Sequence, residues 1–312
     1  MGGLSTKHIL EMASLSCDDI TLILDTAVNM KEISRRPVKK VPTLRGKTVV
    51  SFFYESSTRT RVSFDLAAKR LSADSVALTA GASSMTKGET LVDTVRNLEV
   101  MSPDIIVIRH SSAGAPHLLA RHVSLPVINA GDGMHAHPSQ ALLDLMTVRE
   151  KKGRIAGLRL AIIGDIARSR VARCNIAGFR KMGASVVVAA PPTMLPFGID
   201  SLGAEVTHSA DEAIDGADVI MMLRIQKERL AAHLFSSARE YARTFGLTVE
   251  RVKRARPDAL IMHPGPLNRG VEIAPEVADG PCSVILDQVE NGVAVRMALF
   301  YLVLGGQRDG GD

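Results

Sequence analysis

Short apolar runs recur along the chain, and amphipathic stretches separate them. Gly46–Tyr54 (GKTVVSFFY) is a β-branched and aromatic run of the kind that fills a buried strand. After a polar turn, Phe64, Ala67, Ala68 and Leu71 recur at i, i+3, i+4 and i+7, which is one face of a helix. Ser75–Leu78, Ile105–Ile108 and Pro126–Ile128 read as further strands, with helices between and after them, Thr90–Glu99 among these. A second series follows the charged stretch Glu150–Arg154: Leu158–Ile163, Ser185–Ala189, Val219–Leu223 and Ala259–Met262, again with helical segments between. Strands that alternate with helices predict parallel sheets covered on both faces. The expectation is an α/β chain of two doubly wound domains with central parallel sheets, 1–150 and 151–312. An apolar helix at about 293–304 is expected to pack back on the first domain. No internal repeat is visible, and only the tail Gly305–Asp312 is low in complexity.

Length agrees with that division, since 312 residues make two domains at roughly 150 each. Lys plus Arg exceed Asp plus Glu by 38 − 33 = 5, a mild and scattered excess that suits a small anionic substrate and does not imply nucleic acid. Aromatics are 4% with no Trp, which leaves neither a stacking platform for single strands nor a membrane belt. No apolar run approaches the ~18 residues of a membrane span. The N-terminus lacks a charged-then-apolar leader. Cys17, Cys174 and Cys282 are far apart, as reduced thiols would be. A cytoplasmic protein is the expectation.

The unusual polar residues fall where these strands end, which in such folds is where ligands bind. Ser56-Ser57-Thr58-Arg59-Thr60-Arg61 leads from the first strand into a helix. Hydroxyls, helix amides and two guanidinium groups at that place make a cradle for a phosphate. The GxxxxGK[ST] loop is absent. Ser83-Ser84-Met85-Thr86-Lys87-Gly88-Glu89 ends in a lone Lys, which taken alone reads as solvated. Arg109-His110 closes a strand, where a buried cation needs an anionic partner. Asn129-Ala130-Gly131-Asp132-Gly133 has turn chemistry, and His135-Ala136-His137-Pro138-Ser139-Gln140 opens a helix. The HxH pair lacks a third ligand of the right type nearby, so no metal is expected, and an imidazole and an amide that polarise a carbonyl are the better reading.

In the second half, Gly164-Asp165-Ile166-Ala167-Arg168-Ser169-Arg170 leaves a strand for a helix. Only one glycine of a dinucleotide fingerprint is present and two arginines crowd the helix start, which favours a carboxylate clamp over a nucleotide site. Arg224-Ile225-Gln226-Lys227 repeats the theme, and Met262-His263-Pro264-Gly265-Pro266-Leu267-Asn268-Arg269-Gly270 is a Pro/Gly-rich turn after a strand.

Taken in order, Ser-Thr-Arg-Thr-Arg, Ser-x-x-x-Lys-Gly-Glu, Arg-His, His-Pro-Ser-Gln, Gly-Asp-x-x-x-Ser-Arg, Arg-x-Gln-Lys-Glu-Arg and His-Pro-Gly-Pro-x-Asn-Arg-Gly resemble the aspartate carbamoyltransferase catalytic chains, over roughly Leu4 to Leu304. The resemblance implies a carbamoyl-phosphate domain, then an aspartate domain, in a homotrimer whose sites are shared between subunits. It implies that Ser57, Thr58, Arg59 and Thr60 hold the phosphate, and that Arg109, His137 and Thr60 polarise the carbonyl oxygen. Gln140 with the backbone of Gly265 and Pro266 would hold the carbamoyl amide. Arg170 and Arg224 would bind the aspartate carboxylates, supported by Gln226, while Ser83 and Lys87 would reach a neighbouring subunit's site. No metal or organic cofactor is implied, and the departing phosphate is a candidate base for the amine.

Ornithine carbamoyltransferases share the first domain but carry a late His-Cys-Leu-Pro turn and a Ser-Met-Gly loop. Here Pro264-Gly265 follows His263, no Ser-Met-Gly occurs, and Arg224 favours a second carboxylate. The Pro264-Gly265-Pro266 form resembles bacterial chains that pair with dihydroorotase, so a higher assembly with that enzyme or with regulatory chains is open. A nicotinamide-dependent dehydrogenase and a catalytically silent scaffold are the readings from other classes. The missing glycine fingerprint weighs against the first, and the complete set of polar residues against the second.

Overall fold

The computed structural model describes residues 3–79, 88–225 and 237–305. They form two compact units: one holds the chain up to Met146 and from Glu290 onward, the other Thr147–Val289.

The first unit is built on β1 (Thr48–Phe53), β2 (Asp74–Thr79), β3 (Ile105–His110) and β4 (Val127–Asp132). All pair in parallel, in the order β2-β1-β3-β4. Helices α1 (Cys17–Arg35), α2 (Thr58–Arg70), α3 (Leu91–Glu99) and α4 (Ala115–Ala120) precede and join these strands, and α5 (Pro138–Lys152) follows β4 and runs on into the second unit. The step from β1 to β2 runs one way across the sheet and the step from β2 to β3 runs the other, so right-handed crossovers put α2 and α3 on opposite faces. On one face Phe52, Ile106, Ile108 and Val127 pack with Val95 of α3 and Leu119 of α4. Burying side chains of this size contributes roughly 1.5–3 kcal/mol each. Elsewhere in the unit the α2 side chain Phe64 meets Phe300 edge-on at 5.7 Å. Phe300 lies on α11 (Ile285–Gly305), so the expected return of the last helix to the first domain is found. The helix is longer than its apolar stretch suggested, because Ile285–Gly292 carries polar residues in its first two turns.

The second unit contains β5 (Arg159–Ile163), β6 (Ser185–Ala189), β7 (Glu205–Thr207), β8 (Val219–Met222) and β9 (Leu260–Met262), parallel throughout in the order β7-β6-β5-β8-β9. Its helices are α6 (Arg170–Lys181), α7 (Ala210–Ile214), α8 (Ala238–Phe245), α9 (Val249–Val252) and α10 (Pro275–Ala278). The doubly wound architecture is therefore present twice. Strand β7 has no apolar run because it is a three-residue edge, solvated at Glu205 and Val206.

One segment differs from the sequence reading. Asn129–Asp132 is the second half of β4, not a turn. Asn129 keeps a turn's local bonds, accepting from Gly131 N (2.8 Å) and donating from Nδ2 to Asp132 Oδ1 (2.8 Å), and adds a long-range one from Nδ2 to Leu10 O (2.9 Å). The turn comes one residue later, at Gly133, where φ is +48°. A Cβ at that position would stand 2.9 Å from both Ala113 N and Ser111 O, so only glycine lets the ends of β3 and β4 close on each other. Among the described residues no helix is long and apolar enough to cross a membrane.

Candidate active site

In the first sheet the strand order reverses between β1 and β3, and in sheets of this kind ligands bind at the carboxyl ends beside such a reversal. Phe53 pairs in register with Arg109, and Tyr54 N donates to Arg109 O (2.8 Å), which fixes the two strand ends side by side. Ser57 is the N-cap of α2, yet its side chain makes no capping bond. Thr60 is buried one turn into the helix, and Arg59 is exposed beside it. A hydroxyl not spent on its own helix, next to amides at the positive end of the dipole, is what an oxyanion needs.

Arg109 is 8% exposed and has the anionic partner its position demands: Nη2 donates to Glu55 Oε1, and Nη1 to Ala130 O at 3.3 Å. Glu55 sits in the turn after β1, within the polar stretch from which the sequence reading took only hydroxyls and arginines. His137, 4% exposed, immediately precedes α5, and Ser139 Oγ lies 3.5 Å from its Nδ1. Gln140 Nε2 donates to the fully buried Asp144 (3.0 Å), which turns the amide so that its oxygen is the end left to accept. Thr60, Arg109 and His137 thus supply donors and Gln140 an acceptor, from the ends of neighbouring strands.

A residue absent from the sequence reading stands behind them. Arg296 of α11 is buried, donates to Ser63 Oγ (2.8 Å) and Gly292 O (2.9 Å), and lies 4.9 Å over the Phe64 ring. Burial, reinforced by the charge of Arg109 and opposed by Asp144, holds its pKa down to about 9. It remains a cation at neutral pH, and so adds positive potential near Arg109. Arginine in the otherwise apolar stretch 293–304 was the available signal, masked by the reading of that stretch as packing.

The second sheet reverses between β5 and β8. Gly164, with φ +138°, ends β5; a Cβ there would sit 2.8 Å from Leu223 Cβ. Glycine thus lets the carboxyl ends of β5 and β8 touch, and Leu223 N donates to Ile163 O (2.8 Å). Ser169 caps α6 by accepting from Ala172 N (3.1 Å), which puts Arg170 in its first turn. Arg168, by contrast, folds back onto the buried Asp165 with N and Nη1 at 3.3 and 3.4 Å from Oδ1. Arg224 follows β8 and is half-buried.

Beside it runs the turn after β9. Gly265 N donates to His263 Nδ1 (2.8 Å), so the ring proton is on Nε2, 3.3 Å from the fully buried Glu272 Oε1. His263 N donates to Gln288 Oε1 (3.0 Å), while Asn268 Nδ2 donates to Ile225 O (2.7 Å) and ties the turn to the segment bearing Arg224. The Gly265–Pro266 bond is cis. Glu272 was not singled out in the sequence, because nothing local marks a carboxylate nine residues beyond the histidine it faces. Ser83, Lys87 and Gln226 lie outside the described residues.

Two family models cover this chain in succession: the carbamoyl-phosphate binding domain of aspartate/ornithine carbamoyltransferases over residues 7–150, and their Asp/Orn binding domain over residues 156–303. The chain belongs to the aspartate/ornithine carbamoyltransferase family. Within it, an aspartate carbamoyltransferase catalytic subunit of Desulfosudis oleivorans is 80% identical, with 99% of this chain and 100% of that one aligned. Among solved structures, an ornithine carbamoyltransferase of Pyrococcus furiosus superposes with a TM-score of 0.89 at 34% identity, covering 99% and 100% of the two chains. An aspartate transcarbamoylase of Trypanosoma cruzi, in complex with carbamoyl phosphate and aspartate, gives 0.85 at 29% identity over 96% of each. Carbamoyltransferases of both specificities thus share this backbone, so the fold does not choose between amino acids and the side chains must.

Proposed function

We propose that this chain transfers the carbamoyl group of carbamoyl phosphate to the amine of L-aspartate, giving N-carbamoyl-L-aspartate and phosphate, the chemistry of an aspartate carbamoyltransferase in pyrimidine biosynthesis. The observation that carries the reading is that each sheet presents arginines at its own switch point, Arg59 and Arg109 in the first unit and Arg170 and Arg224 in the second. Identity of 80% to a protein named as the aspartate enzyme supports aspartate over ornithine.

Ser57, Thr58, Arg59 and Thr60 hold the phosphate at the start of α2. Arg109, Thr60 and His137 donate to the carbonyl oxygen, and Gln140, with the backbone of Gly265 and Pro266, holds the carbamoyl amide. Arg170 and Arg224 take the two carboxylates of aspartate, each fork suited to a bidentate pair, with Gln226 in support. The aspartate amine attacks the carbonyl carbon, negative charge grows on its oxygen, and collapse of the tetrahedral intermediate expels phosphate. Donors already fixed by Glu55, Ala130 and Ser139 need no reorganisation as that charge develops. Holding both anions in place supplies much of the remaining acceleration. The expelled phosphate is the base that takes the amine proton.

The active assembly is a homotrimer of cytoplasmic chains in which Ser83 and Lys87 complete the neighbouring subunit's site. The name "catalytic subunit" carried by relatives is consistent with a larger assembly, for which dihydroorotase and regulatory chains are the candidate partners.

A ligand that links the two half-sites tests this directly. An analogue in which a phosphonate is joined through an acetyl bridge to the amine of aspartate should raise the melting temperature at micromolar concentration. At a hundred times its Kd the gain is about 2.7 kcal/mol. The same bridge on ornithine should leave the melting temperature unmoved. Stabilisation by the ornithine compound alone would overturn the assignment of Arg224.

A further inference from the structure

His135 belongs to the HxH pair from which no metal site was expected, for want of a third ligand. The fold supplies one, and it does not use His137. Among the described residues, His117, Asp132 and His135 place one donor atom each within 4.8 Å of one another. The three come from different places in the first unit: His117 from α4, Asp132 from the last position of β4, and His135 from the turn after it. The close approach of Gly133 to Ser111 and Ala113, just before α4, is what brings them together.

The individual groups are set up for a cation. Asp132 is fully buried; its Oδ1 accepts from Asn129 Nδ2 (2.8 Å) and Ala136 N (3.0 Å), and its Oδ2 from Gly114 N (2.7 Å). That clamp fixes the carboxylate with Oδ2 3.1 Å from His135 Nδ1. The other nitrogen of the same ring, Nε2, lies 3.5 Å from Glu11 Oε2. A metal-bound histidine characteristically has its second N–H facing a carboxylate, which sets the tautomer and strengthens the donor. His117 Nδ1 is buried and has no hydrogen-bond partner among the described residues, and its ring stands 5.4 Å from that of His135. A merely structural role for the cluster accounts for the Asp132–His135 contact but leaves that nitrogen unexplained.

We propose that His117, Asp132 and His135 form a binding site for a divalent transition metal, best matched by Zn2+, with Glu11 orienting His135 from behind. Two imidazoles and one carboxylate are a zinc donor set, and a water completes four-coordination. Around tetrahedral zinc, with bonds of about 2.1 Å, donors stand roughly 3.4 Å apart, so side-chain rotation of about an ångström closes the site. Asp132 N also donates to the carbonyl of Ala136 (3.0 Å), whose own N–H donates to Asp132 Oδ1, so a bound ion pins the segment that presents His137.

The experiment uses the full chain, stripped with a chelator and titrated with Zn2+ against a chromophoric competitor, and in parallel with Co2+ read by its visible absorption. The expected result is one equivalent per chain with intense, tetrahedral-type Co2+ bands. Binding should be lost in both His117→Ala and His135→Ala, and weakened about 10–100-fold in Glu11→Gln. Both histidines are partly exposed, so melting curves without metal should match the parent and separate loss of binding from loss of fold. Less than one equivalent in the parent, or retention of that equivalent in either histidine variant, would overturn the site.

Discussion

Arg109→Ala should lower kcat about 10²–10³-fold, the usual cost of removing one preorganised donor from a developing oxyanion. The guanidinium is nearly buried, is held by Glu55 and the Ala130 carbonyl, and belongs to the strand end that abuts β1. Its charge is therefore positioned before substrate arrives, and the loss should fall on kcat far more than on the KM for carbamoyl phosphate, whose phosphate the proposal assigns to the start of α2. The protein should remain folded. Glu55 is partly exposed and returns to water, and Arg296 loses a repulsive neighbour that depresses its pKa. Steady-state kinetics with a parallel melting curve check both parts. A variant with kcat within about threefold of the parent would remove Arg109 from the mechanism, since a donor aimed at that oxygen is worth far more.

Arg224→Ala should raise the KM for aspartate by about 10–100-fold, corresponding to the 1.5–3 kcal/mol of a hydrogen bond to a charged group. The KM for carbamoyl phosphate should hardly change. Arg224 follows β8 at the second sheet's switch point, in a segment whose carbonyl at Ile225 is tethered by Asn268, so the variant removes the charge and leaves its platform. A rise in the carbamoyl-phosphate KM with unchanged aspartate dependence would place Arg224 on the wrong substrate.

Much of this organisation is legible in the residues themselves. Buried parallel strands are continuous apolar runs, so Ser185–Ala189 and Ile105–His110 announce themselves, and polar residues at the ends of such runs are conspicuous. What escapes is what depends on partners distant in sequence. Asn129–Asp132 has the composition of a turn but is paired with β3 and anchored to Leu10. Glu55 and Asp144 are single carboxylates whose meaning lies in the Arg109 and Gln140 they hold, and Glu272 one whose meaning lies in the His263 it faces. Arg296 sits in a helix that reads as packing. His117 stands 18 positions from His135, and only the turn at Gly133 makes them neighbours. Local pattern reports which residues a strand end offers, while the groups that fix their geometry are found only by folding.

The central claim is that the chain transfers the carbamoyl group of carbamoyl phosphate to aspartate. Its most direct test is to offer purified protein carbamoyl phosphate with L-aspartate and with L-ornithine in separate reactions and to identify the products. The account predicts N-carbamoyl-L-aspartate and phosphate in equal amounts from the first, and no citrulline from the second. Citrulline formation without carbamoyl-aspartate would contradict it.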